Sequence, residues 1–404
     1  MSQNETSVRR IAFLVSCASA LQIAESLIPS PLPGVRLGLA NMVALVALTR
    51  MGFRAALEIT LLRTVVSSFI LGTFLSPAFF LSVSGGLVST AVMGAWLALS
   101  ASSVRFRMSM IGLSLWGAVT HNLVQIVLVY AFLVKHASVF LMAPWLGISS
   151  VVTGWITGLV AVKVCHRLDR SEPEPVRTLP KAGAGSPFRS QAPAQAETFV
   201  HRMRPERKII VVLLLGLAVV VQGRLWLDCV LLGVLLALLV ASGTRWTLVR
   251  NKILKLWPLI LFSAVTPALF ARGGNVLFRI GMLSVTETGL HVGVLFAFRI
   301  VLLMITASLL VWTTRPEDLT AGLGRLLGPL RIFGWSPGRF SRILTLSWTS
   351  VPELRERIRS LLASRRPAAG DVRAWIPALG DVVAALYLEA GREENTQIEP
   401  SQGG

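Results

Sequence analysis

Ten apolar runs, most of them long enough to cross a bilayer, constrain this chain more than any other feature. In hydrocarbon every backbone N–H and C=O must be satisfied within the segment, so an open chain crosses as helix, and about 20 apolar residues make one crossing. Six runs fall in a first block, at about 10–28, 37–51, 55–72, 78–100, 110–134 and 141–164. Four follow at 208–222, 225–243, 254–271 and 289–313. Charged residues make up 15% of the chain, against about 25% in a soluble domain, in keeping with lipid as the solvent. The expected fold class is an all-α integral membrane protein.

The net charge of +19 raises nucleic acid as a partner. The basic residues, however, sit between apolar runs, where Lys and Arg mark the cytoplasmic side. Arg9 and Arg10, Arg50 and Arg54, Arg105 and Arg107, and Lys163 and Arg167 fall at every second connection. Both ends of the first block are therefore expected in the cytoplasm. Arg245, Arg250, Lys252 and Lys255 mark another cytoplasmic turn. The expected location is the bacterial inner (plasma) membrane, with a cytoplasmic N-terminus, no nucleic acid partner, and a cytoplasmic C-terminus if the weak apolar stretch 374–388 does not span. The first run is followed by Pro-rich sequence and further spans, so it reads as a retained helix. Cys17, Cys165 and Cys229 lack metal-ligand spacing and read as free thiols.

The organisation expected is a membrane domain over 1–167, a flexible linker over 168–207, membrane helices over 208–313, amphipathic cytoplasmic helices and a terminal helix over 314–390, and a disordered tail over 391–404. The linker holds six prolines with many Ala, Gly, Ser and Arg residues and no apolar periodicity. Thr314 and Glu317 have capping-box spacing, with Pro316 tolerated in the first helical turn. Leu354, Ile358, Leu361 and Leu362 follow i, i+4, i+7, i+8, while Arg355, Glu356, Arg359 and Arg366 take other faces. That helix is too charged to span and should lie on the membrane surface or on a partner.

Enzyme signatures are thin. No Gly-Lys pair exists for a phosphate-cradling loop. Asp169, Asp228, Asp318, Asp371 and Asp381 are scattered, whereas Mg²⁺ on a diphosphate wants gathered carboxylates. The string Gly334-Trp335-Ser336-Pro337-Gly338 copies a nucleophile elbow, but no strand precedes it and Pro337 has no N–H for an oxyanion. No enzyme activity and no cofactor are expected in this chain.

Polar residues at membrane depth are expensive and by default suggest a site or an internal pair. Glu25 lies in the first run, Asn41 in the second, Arg63 in the third, and His121, Asn122 and Gln125 in the fifth. One reading is a substrate pocket; the other is a structural Glu25–Arg63 ion pair, with amides holding helices together. The spacing of 121, 122 and 125 favours the pocket. Gly34 with Gly38, and Gly85 with Gly86, read as helix-packing positions.

The stretch Glu25 to Asn41 (ESLIPSPLPGVRLGLAN), with Leu62-Arg63, Gly72 to Pro77 (GTFLSP) and Ser84-Gly85-Gly86, resembles the Gx transporter family, also labelled heptaprenyl diphosphate synthase component I. The resemblance covers about 10–165 and implies a six-helix substrate-binding (S) component of an energy-coupling factor importer. The second block resembles the transmembrane coupling (T) component of that importer class over about 205–366. It does so at Thr286 to Leu290 (TETGL), Phe298-Arg299, Thr314 to Leu319 (TRPEDL) and Leu323 to Leu330. That resemblance implies a separate ATPase pair as partner, which hydrolyses the ATP, and docking through an Ala-Arg-Gly-like motif. The nearest match is Ala363-Ser364-Arg365-Arg366, without the glycine, and Glu389-Ala390-Gly391-Arg392 is a second candidate. Arg355, Arg359, Arg365 and Arg366 are the candidate ATPase-coupling residues. The substrate expected is a small vitamin-like or isoprenoid- or quinone-related molecule. A membrane accessory subunit of prenyl diphosphate or quinone metabolism is the alternative, and a structural membrane anchor a further one.

Overall fold

A computed structural model of the protein describes residues 3–27, 38–102, 107–134, 137–170, 203–221, 224–243, 246–270, 275–280, 283–333, 336–364, 380–381 and 383–385. The first block contains α1 (Gln3–Leu27), α2 (Leu39–Met51), α3 (Phe53–Leu71), α4 (Pro77–Ser102), α5 (Met110–Leu128) and α6 (Ala143–Arg170). A π-helical turn, Val129–Val134, and a 3₁₀ turn, Ala137–Met142, lead from α5 into α6. The second block contains α7 (Pro205–Val221), α8 (Leu225–Ala241), α9 (Trp246–Phe270), a hairpin of β1 (Val276–Ile280) and β2 (Leu283–Thr286), α10 (Glu287–Trp312), α11 (Pro316–Leu326) and α12 (Pro337–Ser364).

The chain is an all-α membrane protein, with a small antiparallel hairpin among the described residues. Each of the ten apolar runs falls mainly on described helices. Among the described residues, five segments are long and apolar enough to cross a membrane: Ser7–Ser26, Pro77–Ala101, Met110–Leu133, Val139–Arg170 and Glu287–Trp312. Of the others, α2, α7 and α8 are short, α3 carries Arg54, Glu58 and Arg63, and α9 carries Arg250, Lys252 and Lys255. The β1–β2 hairpin was not expected: at five and four residues, its strands follow an apolar run too closely for hydropathy to separate them.

Helix α12 is longer than the expected amphipathic stretch, starting at Pro337 and continuing through Pro352. Ile343, Leu344, Val351, Leu354 and Ile358 form its buried stripe and share a core with Val8, Ile11, Ala12 and Val15 of α1. Arg355, Glu356 and Arg359 are exposed, as the period of 3.6 requires. The capping-box expectation fails. Arg315 is the N-cap residue of α11 and makes no side-chain cap. The Thr314 hydroxyl instead accepts from buried Lys208 Nζ at 3.3 Å, beside a 2.8 Å bond from the same Nζ to the Thr313 carbonyl. Pro316 does open α11.

The two blocks meet along two seams. In one, α12 lies on α1: Ser347 Oγ donates to the Ala12 carbonyl at 2.9 Å, and Ser16 Oγ donates to the Ser347 carbonyl at 3.2 Å. Arg339 grips Glu58 of α3 with a two-pronged bond at 3.1 and 3.2 Å, and Trp348 meets Phe69 of α3 edge-on at 6.3 Å. In the other seam, Ile126, Leu133, Val139 and Leu146 pack with Leu295, Phe296 and Ile300 of α10. A smaller link joins Arg167 to Asp381 at 3.0 Å. The stretch 374–388 is described only at 380–381 and 383–385, so whether it spans lies outside the described residues, as do the linker core and the tail.

Candidate functional site

The site begins on α1, whose polar residues Gln22 and Glu25 interrupt an apolar run one turn apart. Both are buried, Glu25 at 7% exposure. The Glu25 carboxylate accepts from the Gly38 N–H at 2.6 Å. Gly38 is the N-cap residue of α2 and holds φ +78°, a left-handed conformation that glycine adopts without Cβ strain. Glu25 thus does what no side chain of α2 does for its own first turn, and its negative charge suits the positive end of that helix. Gly38 is a turn position first, because its conformation decides where α2 begins; Gly34 lies outside the described residues.

Three residues into α2, Asn41 reaches Arg63 of α3. Arg63 is 5% exposed and donates to the side-chain oxygens of Gln22, at 3.1 Å, and Asn41. Its carbonyl accepts from Ser19 Oγ at 3.2 Å. A guanidinium offers only donors, so both amides must turn their oxygens toward it. Their NH₂ groups then face away from the guanidinium. Gln22 is the site residue that sequence reasoning missed. It sits three residues before Glu25 on the same helical face, a signal that the single acidic residue overshadowed.

Helix α4 brings the fifth helix to this cluster through Gly85 and Gly86. A Cβ on Gly85 would stand 2.9 Å from Nδ1 and Cε1 of the His121 ring. A Cβ on Gly86 would stand 2.9 Å from Thr60 Cγ2 and 3.8 Å from an Arg63 Nη. Adjacent glycines therefore admit the imidazole on one side and the α3 polar row on the other. These are packing positions, as expected, and they also shape the site. His121 Nε2 and Gln125 Nε2 share a hydrogen bond at 3.0 Å, one turn apart.

Asn122 does not join them. It donates to the Leu146 carbonyl at 3.2 Å and to Ser150 Oγ at 2.7 Å, both on α6. Adjacent helical positions diverge by about 100°, so a residue beside His121 faces another neighbour, and these bonds tie α5 to α6. Of the six candidate pocket residues, the structure brings Asn41 to Arg63 and Glu25 to the start of α2, sets His121 against α4 with Gln125 bonded to it, and turns Asn122 to α6.

Among the described residues no group of three or more His, Cys, Asp or Glu side chains is placed to hold a metal. Cys17 and Cys165 are buried thiols outside any disulfide, and Cys229 is an exposed one. Of the coupling candidates, Arg355 and Arg359 project from the exposed side of α12, with Arg359 4.0 Å from Glu356. Arg365 and Arg366, and the second docking string at 389–392, lie outside the described residues.

Comparison with known proteins matches a different family in each half of the chain. Residues 14–164 match the family described as heptaprenyl diphosphate synthase component I, and residues 196–395 match the family described as cobalt transport protein. The chain is 31% identical to the energy-coupling factor transporter transmembrane protein EcfT of Thermanaerovibrio acidaminovorans over 208 residues, 48% of this chain and 76% of that protein. It is 28% identical to the EcfT of Brevibacillus brevis, over 42% of this chain and 64% of the relative. It is 26% identical to the EcfT of Streptococcus equi, over 48% and 75%. The chain thus spans just under two thirds of the Brevibacillus relative and about three quarters of the other two. These relatives are membrane subunits of transporters, not enzymes. The chain therefore belongs to the energy-coupling factor transporter transmembrane protein family through its second block, fused behind a substrate-component-like block of the heptaprenyl diphosphate synthase component I type.

Proposed function

We propose that this chain is the membrane subunit of an energy-coupling factor type importer in the bacterial inner membrane. Its first block binds a small vitamin-like or isoprenoid- or quinone-related molecule, and its second block couples that block to a separate ATPase pair. One observation carries the reading: α1 bears both the lever joint, at Ser16 and Ala12 against Ser347, and the site residues Gln22 and Glu25. A displacement of α12 is thereby delivered to the helix that lines the site.

The direction of α12 supports a tilting mechanism. Between Arg339 and Trp348 it advances nine residues, while its partners on α3, Glu58 and Phe69, advance eleven. At 1.5 Å per residue these are about 13 and 16 Å, so the two helices run side by side in the same direction. The charge of α12 suits a position along the membrane surface, and α3 running beside it supports a first block that lies on its side. ATP-driven closure of the partner would shift α12 and right or topple the block. The donor groups left by Gln22 and Asn41 suit a head group rich in carbonyl or carboxylate oxygen.

Arg355, Arg359 and Arg365 supply charge-assisted bonds to the ATPases, with Arg366 beside them. The linker raises the local concentration of one block for the other and makes assembly one-to-one. Co-expression with energy-coupling ATPases is expected to yield a copurifying complex that reversal of Arg359 and Arg365 to Glu weakens. Copurification indifferent to both reversals removes the docking proposal, and native mass spectrometry of gently purified protein identifies the bound molecule. The accessory-subunit reading has the description of the first block's family in its favour; a polyprenyl diphosphate found in that spectrum would support it.

A further inference from the structure

The β1–β2 hairpin has no part in the proposed site or lever, yet it is the most unusual surface of the second block. Strand β2 packs on α9 and α10 and buries Val285 and Thr286. Strand β1 pairs with β2, with an irregular step between Val276 and Phe278. Its three consecutive apolar side chains are all open: Val276 at 47%, Leu277 at 50% and Phe278 at 54%. Successive strand residues point to opposite faces, so the strand presents apolar groups on both. Arg279, next along, is exposed as well. An edge strand facing water is ordinarily guarded by charge or proline against pairing with other chains. Here hydrophobes take those places.

The surroundings identify what covers it. Val265 and Phe270, on the last turns of α9, are exposed, as are Leu290 and Val294 on the first turns of α10. The hairpin joins these two helix ends, so its apolar side chains continue the lipid-facing surface of both. In the orientation that the basic connections dictate, this end lies at the outer face. Open strand edges do not occur in the hydrocarbon core, because their backbone groups would go unsatisfied. The interface is the depth that serves both needs, with apolar side chains among the upper acyl chains and the backbone edge among headgroups and water. Arg279 then meets lipid phosphate.

We propose that the hairpin is an interfacial anchor that binds the outer leaflet at headgroup depth through Val276, Leu277, Phe278 and Arg279, holding α9 and α10 at constant depth while other parts of the protein move. The test uses the full chain with Cys229→Ser, which removes the exposed thiol, and Leu277→Cys labelled with an environment-sensitive fluorophore. The protein is placed in nanodiscs of phosphatidylethanolamine and phosphatidylglycerol that carry spin labels either high on the acyl chain or near its terminal methyl. Emission should shift to the blue on moving from detergent to nanodiscs, and the shallow label should quench it more than the deep one. Leu214→Cys, on the exposed middle of α7, should show the reverse order. Water-like emission that neither label quenches overturns the proposal, as does stronger quenching by the deep label. A blue shift protected from both labels also overturns it, by showing that protein covers the strand. Phe278→Cys repeats the measurement if the first variant does not fold.

Discussion

Arg63 organises the first block's polar cluster, and its neighbours specify what a substitution should do. Its guanidinium holds two amides on two other helices. Lysine keeps the charge but cannot fork to both. Arg63→Lys should therefore retain folding but impair ligand retention, whereas Arg63→Ala takes this donor from the buried Gln22 oxygen and the half-buried Asn41 oxygen. A buried group stripped of its partner costs about 1–3 kcal/mol, so the alanine variant should show a clear drop in thermal midpoint and loss of any copurified small molecule. If Arg63→Ala retains both, the cluster is not a site. Gly85→Ala should act differently. Its Cβ would meet the His121 ring at 2.9 Å, and a side chain can swing away, so retention of the small molecule should fall with little change in stability. Asn122→Ala should instead loosen α5 from α6 and leave binding nearly intact.

At the scale of the element, α9 and α10 lie close because two glycines on α10 admit the α9 backbone. A Cβ on Gly289 would stand 2.7 Å from the Pro267 carbonyl oxygen, and one on Gly293 would overlap the Ala264 carbonyl. Backbone cannot rotate aside, so Gly293→Ala must push the helices apart, at about 1–3 kcal/mol for an overpacked contact. It should lower the thermal midpoint more than Gly216→Ala on α7, where a Cβ would find ordinary contact at 3.5 Å with Leu303. Equal midpoints would contradict this packing. Just ahead of the α7 apolar run, a hydrogen bond from Arg325 of α11 holds the Glu206 carboxyl below its ordinary range. A carboxyl lowered in the folded state stabilises it above the unfolded value, about 4.3, and that contribution fades as pH falls through the lower folded value. Glu206→Gln should flatten the acid limb of the thermal midpoint against pH, and an unchanged limb would remove this role.

For the whole molecule, the two blocks are joined by packing as well as by the linker. A protease site placed within 171–202 should release halves that still copurify through the α12–α1 and α5–α10 seams. The Arg339–Glu58 grip is partly exposed, where such pairs contribute up to about 1 kcal/mol. Arg339→Glu alone should therefore weaken recovery of the cleaved pair modestly, more so with Ser347→Val, and Glu58→Arg added to Arg339→Glu should restore it. Complete separation of the wild-type halves after cleavage would mean that the linker alone joins them.

The helices were legible in the sequence because hydropathy and charge placement are local: Arg50 and Arg54, or Arg245 and Arg250, state where apolar runs end whatever packs on them. The fused architecture was legible too, since its strings lie within single segments, and so was the amphipathic helix, because Leu354 and Ile358 alternate with Arg355 and Arg359 at a helical period. What the tertiary structure decided was partnership. Hydropathy marks every span as apolar without saying which face meets which helix, so it could not separate Asn122, turned to α6, from His121, turned to α4. Nor could it add Gln22 to the Arg63 cluster or seat Ser347 on α1. Those outcomes depend on which carbonyl or glycine stands opposite, and only packing across distant segments determines that.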